Sequence, residues 1–290
     1  EKNILKKRKT FLYNLENFPK NLKKFKKFKQ LMKNFNPDVC ISDMELVTTI
    51  LSKIYHKPII SFDNQHRITN LEIKIPKKYF KEYLYAKEVI KRFVKNADHY
   101  IITSFSKVKP KKKYRKNTTI TPPVIRQEIK KLKPKNGNKI LVYLSKQNKE
   151  AIKKLKTIKE NFVIYGYNKT KKTRNIEYKK RKTFLKDLKN CKAIIATSGY
   201  TLISEALYLK KPYLAIPLKG HFEQTLNAIF IKESGYGEYS EKLTKKDITN
   251  FLENQEKYRK KLKHYNPNYD KTIQEILKII KKVKNKKIKN

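Results

Sequence analysis

IIATSGYTLISEALYLKKPYLAIP, residues 194–217, decides the fold class. The apolar run Ile194–Ala196 stops at Thr197-Ser198-Gly199, the apolar spacing turns helical, and Pro212 opens a second apolar run that Pro217 closes. Short continuous apolar runs bounded by turn residues read as buried strands, and a helix between two of them reads as a parallel crossover. In open parallel sheets ligands bind outside the carboxyl ends of the strands. The turn at 197–199 lies at such an end. There Gly199 permits close backbone approach to a ligand. The first amides of helix 200–210 and the hydroxyls of Ser198 and Thr201 point the same way, which makes an anion site suited to a diphosphate. Glu205, at i+4 from Thr201, is placed to accept hydrogen bonds from paired ribose hydroxyls. Ser-Gly ahead of a helix is also a common plain cap.

The next segment, PLKGHFEQTLNA (217–228), supplies a second polar strand exit. The loop Lys219-Gly220-His221 is followed by Glu223 and Gln224 in the first turn of a helix, with Asn227 one turn later. Acceptor and amide groups at one strand exit can read sugar hydroxyls. Glu223 equally suits a helix N-terminus on electrostatic grounds alone. Together the two exits make adjacent phosphate and hydroxyl sites, which is what a nucleotide-sugar donor requires.

Working outward, DVCIS (38–42), KPIISFD (57–63), DHYIITS (98–104) and TTITPPVI (118–125) read as strands with helical segments between most of them. KILVYLS, NFVIYGY, NIEYK, KAIIATS and PYLAIP form a second set. Pro134 and Gly137 punctuate a linker at 126–138. The expected organisation is α/β, with two Rossmann-like, doubly wound parallel-sheet domains. Residues 1–125 are the remainder of an N-terminal domain, 139–253 the C-terminal ligand-binding domain, and 254–290 basic helices packing back on the body.

The formal net charge is +48, but only eight of the 73 basic residues are arginine and the lysines run from end to end. Base and phosphate recognition favours clustered, fork-forming arginine. Dispersed lysine with abundant Asn and Ile fits compositional bias better, or attraction to an anionic membrane surface. A basic nucleic-acid-binding protein is therefore the weaker reading, and FKKFKQLMKNF (25–35) fits an amphipathic helix at least as well. Cys40 and Cys191 lie in apolar runs without metal-ligand spacing, as small buried hydrophobes in a reducing compartment. No apolar stretch approaches eighteen residues and no signal peptide opens the chain, which starts at Glu1 inside a basic amphipathic segment.

The run SGYTLISEAL…KPYLAIP…HFEQTLNA resembles the donor-binding half of GT-B glycosyltransferases. The likeness is to the bacterial family that adds N-acetylglucosamine to undecaprenyl-linked muramyl-pentapeptide, with its family 28 type C-terminal domain, and to an archaeal glycosyltransferase-like group. NPDVCISDMEL (36–46) and KPIISFDNQHRI (57–68) resemble acceptor-side strands of that archaeal group. The resemblance implies that Ser198, Gly199, Tyr200 and Thr201 contact the donor diphosphate and that Glu205 holds the ribose. It implies that His221, Glu223, Gln224 and Asn227 line the donor-sugar pocket, and that Gly166 and Tyr167 lie by the nucleobase. The peptidoglycan enzyme has Gln-Gln where this chain has Glu223-Gln224. The activity implied is inverting, metal-independent hexosyl transfer from a nucleotide sugar, UDP-linked and N-acetylglucosamine-like, to a lipid-linked or cell-surface glycan. No metal and no other cofactor is expected, and the place of action is the cytoplasm, peripheral on the inner face of the cell membrane. A UDP-sugar 2-epimerase of the same architecture is the alternative.

Members of that family open with a strand and a Gly-rich loop ending in Gly-His, whose histidine is the usual base. No such motif occurs here, so the resemblance implies an incomplete N-terminal domain and a chain with little turnover of its own. The remaining acceptor-side candidates are Asp43 and Glu45 after strand 38–42, and Asp63, Asn64, Gln65 and His66 after strand 57–62, with Asp43 and His66 the candidate bases. Asp43-x-Glu45 superficially resembles an acidic metal motif, but acids at a helix start stabilise its dipole anyway.

Overall fold

The computed structural model describes residues 18–144 and 148–288. The basic segment beginning at Glu1, and Ser145 at the end of one expected strand, lie outside the described residues. The described chain forms two compact units, one Val124–Pro267 and the other made of the chain up to Pro123 plus the tail from Asn268.

The N-terminal unit runs α1 (Phe18–Phe35), β1 (Cys40–Ser42), α2 (Leu46–Ile54), β2 (Ile59–Asp63), α3 (Arg67–Asn70), α4 (Phe80–Phe93), β3 (His99–Thr103) and β4 (Thr118–Thr121). Among the described residues these strands pair in parallel in the order β1-β2-β3-β4. Side chains alternate across the sheet, as the two-residue period of a strand requires. Ile60 and Ile101 pack on one face with Ile279 and Val283, whereas Cys40, Ile59, Tyr100 and Ile102 pack on the other with Leu71, Val94 and Ala97. Helix α4 stops at Phe93. Val94 leaves helical space at φ −129° and Asn96 is left-handed at φ 58°, which turns Val94 and Ala97 into the core.

The basic tail does not stay together as 254–290. Its last helix, Lys271–Ile288, belongs to the N-terminal unit, because Ile279 and Val283 cover the face of that sheet which Ile60 and Ile101 present. The preceding helix, Gln255–Lys263, remains with Val124–Pro267 through buried Tyr258 and Leu262.

The C-terminal unit runs α5 (Gln127–Lys130), β5 (Lys139–Tyr143), α6 (Lys149–Lys156), β6 (Asn161–Tyr165), β7 (Lys171–Lys172), β8 (Ile176–Tyr178), α7 (Phe184–Asn190), β9 (Ala193–Thr197), α8 (Tyr200–Tyr208), β10 (Tyr213–Ile216), α9 (Phe222–Glu233), β11 (Gly237–Tyr239), α10 (Lys245–Glu253) and α11 (Gln255–Lys263). Its sheet has the order β11-β10-β9-β5-β6-β8-β7. Every pairing is parallel except β7 with β8. The winding direction reverses at β5, so the carboxyl ends of β5 and β9 flank a topological switch point, where such sheets bind ligands. All of β9 is buried, as a central strand covered on both faces must be.

The 126–138 segment is strapped to this unit and is no free tether. Ile129 is buried, the Gly137 amide donates to Asn190 O at 2.9 Å, and the buried Lys211 ammonium donates to the carbonyls of Lys135 (2.6 Å) and Cys191 (2.7 Å). Desolvation pulls the Lys211 pKa down, so those two carbonyls hold a cation that burial opposes. Strand β11 escapes a sequence reading because it is three residues long. It packs so closely that a Cβ on Gly237 would lie 1.9 Å from Tyr213 O.

Candidate functional site

Strand β9 ends at Thr197, and Gly199 caps α8 in an extended conformation (φ −69°, ψ 133°) with no side-chain cap hydrogen bond. First-turn amides of a helix have no intrahelical acceptor, so this helix presents its positive end without a side chain to satisfy it. Ser198 Oγ is fully buried and lacks a hydrogen-bond partner. An orphaned hydroxyl beside an uncapped helix start is what a missing acceptor would complete.

One turn on, Glu205 is buried with its side chain 4% exposed, and Arg126 grips it with Nε at 2.6 Å from Oε1 and Nη2 at 3.1 Å from Oε2. The bond to Glu205 raises the Arg126 pKa further. Arg126, Thr201, Leu202 and Glu205 form one wall of a cavity of about 710 Å³. Its other side is built by the carboxyl ends of β5 and β6, where Tyr143, Tyr165 and Gly166 join Phe184 and the cationic run Lys179–Lys182. Phe184 meets the rings of Tyr143 (centroids 5.8 Å apart, 66°) and Tyr165 (5.0 Å, 81°) edge-on. Tyr165 is anchored by donating to Asp187, and burial followed by that bond pushes its pKa well up. Burial disfavours the Lys179 charge, but Asp187 at 2.9 Å and then Glu177 hold its pKa above the ordinary value. Gly166 is required where it stands: φ is +91°, and a Cβ would sit 3.1 Å from Leu144 O.

The geometry therefore brings together Thr201, Glu205 and Gly166, placed at the site from sequence, with residues that sequence reasoning missed: Arg126, Tyr143, Tyr165, Phe184 and the 179–182 cations. The one available signal was Arg126 itself. In a chain with eight arginines among 73 basic residues, each arginine stands out as a planar, two-pronged donor among point-charge lysines.

Other expected site residues do different work. Tyr167 does not line the cavity. Its ring packs on Tyr178 (5.4 Å) and its hydroxyl accepts from the Asn148 amide at 2.8 Å, because the positive-φ turn at Gly166 breaks the strand alternation and sends the chain back onto the core. Asn227 is fully buried and donates to Ser198 O at 2.9 Å, so it positions the 197–199 turn. Gln224 Oε1 accepts from the Leu218 amide at 3.1 Å and braces the loop. Glu223 and His221 are half-buried at the start of α9, outside the cavity lining. Tyr200 begins α8 beside Thr201.

On the N-terminal unit, Glu45 caps α2: its carboxylate accepts from Val47 N (2.8 Å) and Thr48 N (2.6 Å). Burial pushes its pKa up, and those amides outweigh it to leave the carboxyl below its ordinary value. Asp63 is buried and accepts from Ser61 Oγ (2.5 Å), His66 N (2.8 Å) and His66 Nδ1 (2.7 Å). Its burial is again outweighed, here by the His66 ring and Ser61, so its pKa falls. His66 is buried against Tyr100 (4.8 Å). The Asn64 carbonyl and side-chain oxygen are both held by Arg67, and Gln65 Oε1 accepts from the Asn64 amide at 3.2 Å. The 63–67 turn is thus a closed hydrogen-bond network. Asp43 is exposed, and partial desolvation followed by the charge of Asp63 raises its pKa. Among the described residues no three His, Cys, Asp or Glu side chains cluster as a metal site would. No described helix is long and apolar enough to cross a membrane.

The profile of glycosyl transferase family 1 matches residues 1–255. A Bacillus cereus UDP-N-acetylglucosamine–N-acetylmuramyl-(pentapeptide) pyrophosphoryl-undecaprenol N-acetylglucosamine transferase is 33% identical over 99 residues, 31% of this chain and 28% of that protein. An uncharacterized glycosyltransferase of Methanosarcina acetivorans is 44% identical over 50 residues, 17% of this chain and 13% of the other. The aligned segments thus span less than a third of the curated relatives. Among solved structures, Glycyrrhiza uralensis UGT73P12 superposes with a TM-score of 0.63 at 13% identity, covering 96% of this chain and 81% of that one. The calicheamicin glycosyltransferase CalG4 gives 0.61 at 13% identity, covering 93% and 78%. At that identity the likeness establishes the fold, GT-B.

Proposed function

Because the chain belongs to glycosyl transferase family 1 and has the GT-B fold, we propose that it transfers a hexose from a nucleoside diphosphate sugar, with the nucleotide held in the 710 Å³ cavity of the C-terminal unit. One observation carries this reading: a single cavity at the sheet's switch point joins an aromatic wall, a buried carboxylate and Thr201, which lies in the first turn of a helix whose N-terminus has no side-chain cap. Each matches one part of a nucleoside diphosphate, the base, the ribose hydroxyls and the diphosphate. In this reading Phe184 and Tyr143 flank the base, Glu205 accepts from the ribose, and the 198–201 turn takes the diphosphate. Charge developing on the leaving diphosphate is stabilised by the helix amides and by cations at the cavity, with no metal.

The segment similar to the Bacillus cereus transferase favours a family 28 type C-terminal domain, a UDP-linked, N-acetylglucosamine-like donor and a lipid-linked acceptor. The net charge of +48 suits an anionic leaflet at the inner face of the membrane, where such an acceptor lies. Inversion requires a base on the acceptor hydroxyl. Asp43 suits this better than His66: it is exposed with a raised pKa, whereas His66 is closed in against Asp63 and Tyr100.

Calorimetric titration with UDP-, dTDP- and GDP-sugars tests the reading. Saturable 1:1 binding of one nucleotide class is expected, competed by its free nucleoside diphosphate. Absence of binding for all three would overturn it.

A further inference from the structure

The carboxylate assigned to the ribose is already occupied. Arg126 holds Glu205 through two charge-assisted bonds, at 2.6 and 3.1 Å. Each oxygen keeps a second lone pair, but with the side chain buried and a guanidinium already on both oxygens, two ribose hydroxyls must compete with the arginine for it. Exposure decides which partner moves. The Glu205 side chain is 4% exposed and fixed in α8, whereas the Arg126 side chain is 49% exposed at the cavity edge.

Resting on the nucleotide-sugar reading above, we propose that Arg126 is an exchangeable latch: it neutralises Glu205 in the free protein and transfers to the donor diphosphate when the ribose replaces it. The exchange conserves charge pairing at every stage. Without a ligand, removing the guanidinium would strand a desolvated carboxylate, which is strongly unfavourable. With a nucleoside alone, the ribose can satisfy Glu205 but the released guanidinium gains no anion. With a nucleoside diphosphate, ribose hydroxyls donate to Glu205 while the guanidinium meets a phosphate in fork geometry. The latch therefore selects for ligands that carry both parts, and it disfavours nucleosides and bare phosphates. The other cations at the cavity do not share this role, since none of Lys180, Arg181 and Lys182 is paired to Glu205, and Lys179 is committed to Asp187 and Glu177.

The test is calorimetric titration of the full chain with uridine and with UDP, for the native protein, Arg126→Ala and Arg126→Gln. Arg126→Ala should tighten uridine binding about three- to tenfold, by removing the competitor, and weaken UDP binding about tenfold or more, the scale of a hydrogen bond to a charged group. Arg126→Gln keeps a neutral donor to Glu205, so UDP should still weaken while uridine gains less than in the alanine variant. A structural role for Arg126 moves both ligands in the same direction, or neither. Parallel losses, or unchanged uridine affinity in Arg126→Ala, would overturn the latch while leaving the donor site standing. Failure of the native protein to bind UDP would instead overturn the donor reading and the latch with it.

Discussion

Gly199→Ala separates the needs of the fold from the needs of a ligand. Gly199 has φ −69°, open to any residue, and a Cβ built on it meets nothing within 4 Å. The fold therefore imposes no steric demand for glycine here. The sole structural cost is the weaker helix-capping preference of alanine, about 0.5–1 kcal/mol. In a unit of this size that lowers Tm by about 1–4 °C. If the diphosphate rests against the 198–201 turn, its oxygens approach those amides to about 2.7–3 Å, and the new methyl occupies space that they need. Losing one amide bond to a charged oxygen costs about 1.5–3 kcal/mol, or about ten- to a hundredfold in Kd. Scanning calorimetry of the free variant and UDP titration read the two effects separately. UDP affinity within twofold of native would refute placement of the diphosphate at this turn. A Tm loss well beyond a few degrees would mean that the fold needs this glycine after all.

Phe184→Ala should weaken UDP about tenfold, the scale of one base–aromatic stack, while leaving pyrophosphate affinity unchanged; equal losses for both would remove Phe184 from the base pocket. Asp43→Asn should lower the transfer rate at least about a hundredfold with donor Kd unchanged, as measured by product formation with a lipid-linked acceptor. In contrast to Gly199, Gly237→Ala drives a Cβ to 1.9 Å from Tyr213 O and should cost about 1–3 kcal/mol or more in urea unfolding. Asp63 has a folded pKa below its unfolded value, so its contribution is complete above about pH 4 and is lost as pH falls through the folded value. Asp63→Asn should accordingly be less stable near neutrality, and its urea midpoint should change less than that of the native protein between about pH 4 and pH 2.

The sequence by itself determined the α/β class and the strand-exit and helix-start geometry at 197–205. Continuous apolar runs such as Ile194–Ala196, short and closed by turn residues, read as strands buried on both faces, and their alternation with helices points to a parallel sheet as the way to bury them. The Ser198–Glu205 stretch was legible for the same reason: a strand exit, a glycine and a helix start are local, and local geometry follows from local sequence. What lay beyond reach was set by long-range partners. Glu205 reads as a free acceptor until Arg126, 79 positions away, is folded onto it. Asn227 reads as a sugar contact until α9 packs and turns its amide onto Ser198. Glu45 reads as an acceptor-site acid until its two oxygens are seen capping α2. The last helix reads as one more basic amphipath until Ile279 and Val283 find the sheet face that Ile60 and Ile101 offer. A polar side chain's role depends on which other group satisfies it, and that partner is chosen by the tertiary fold.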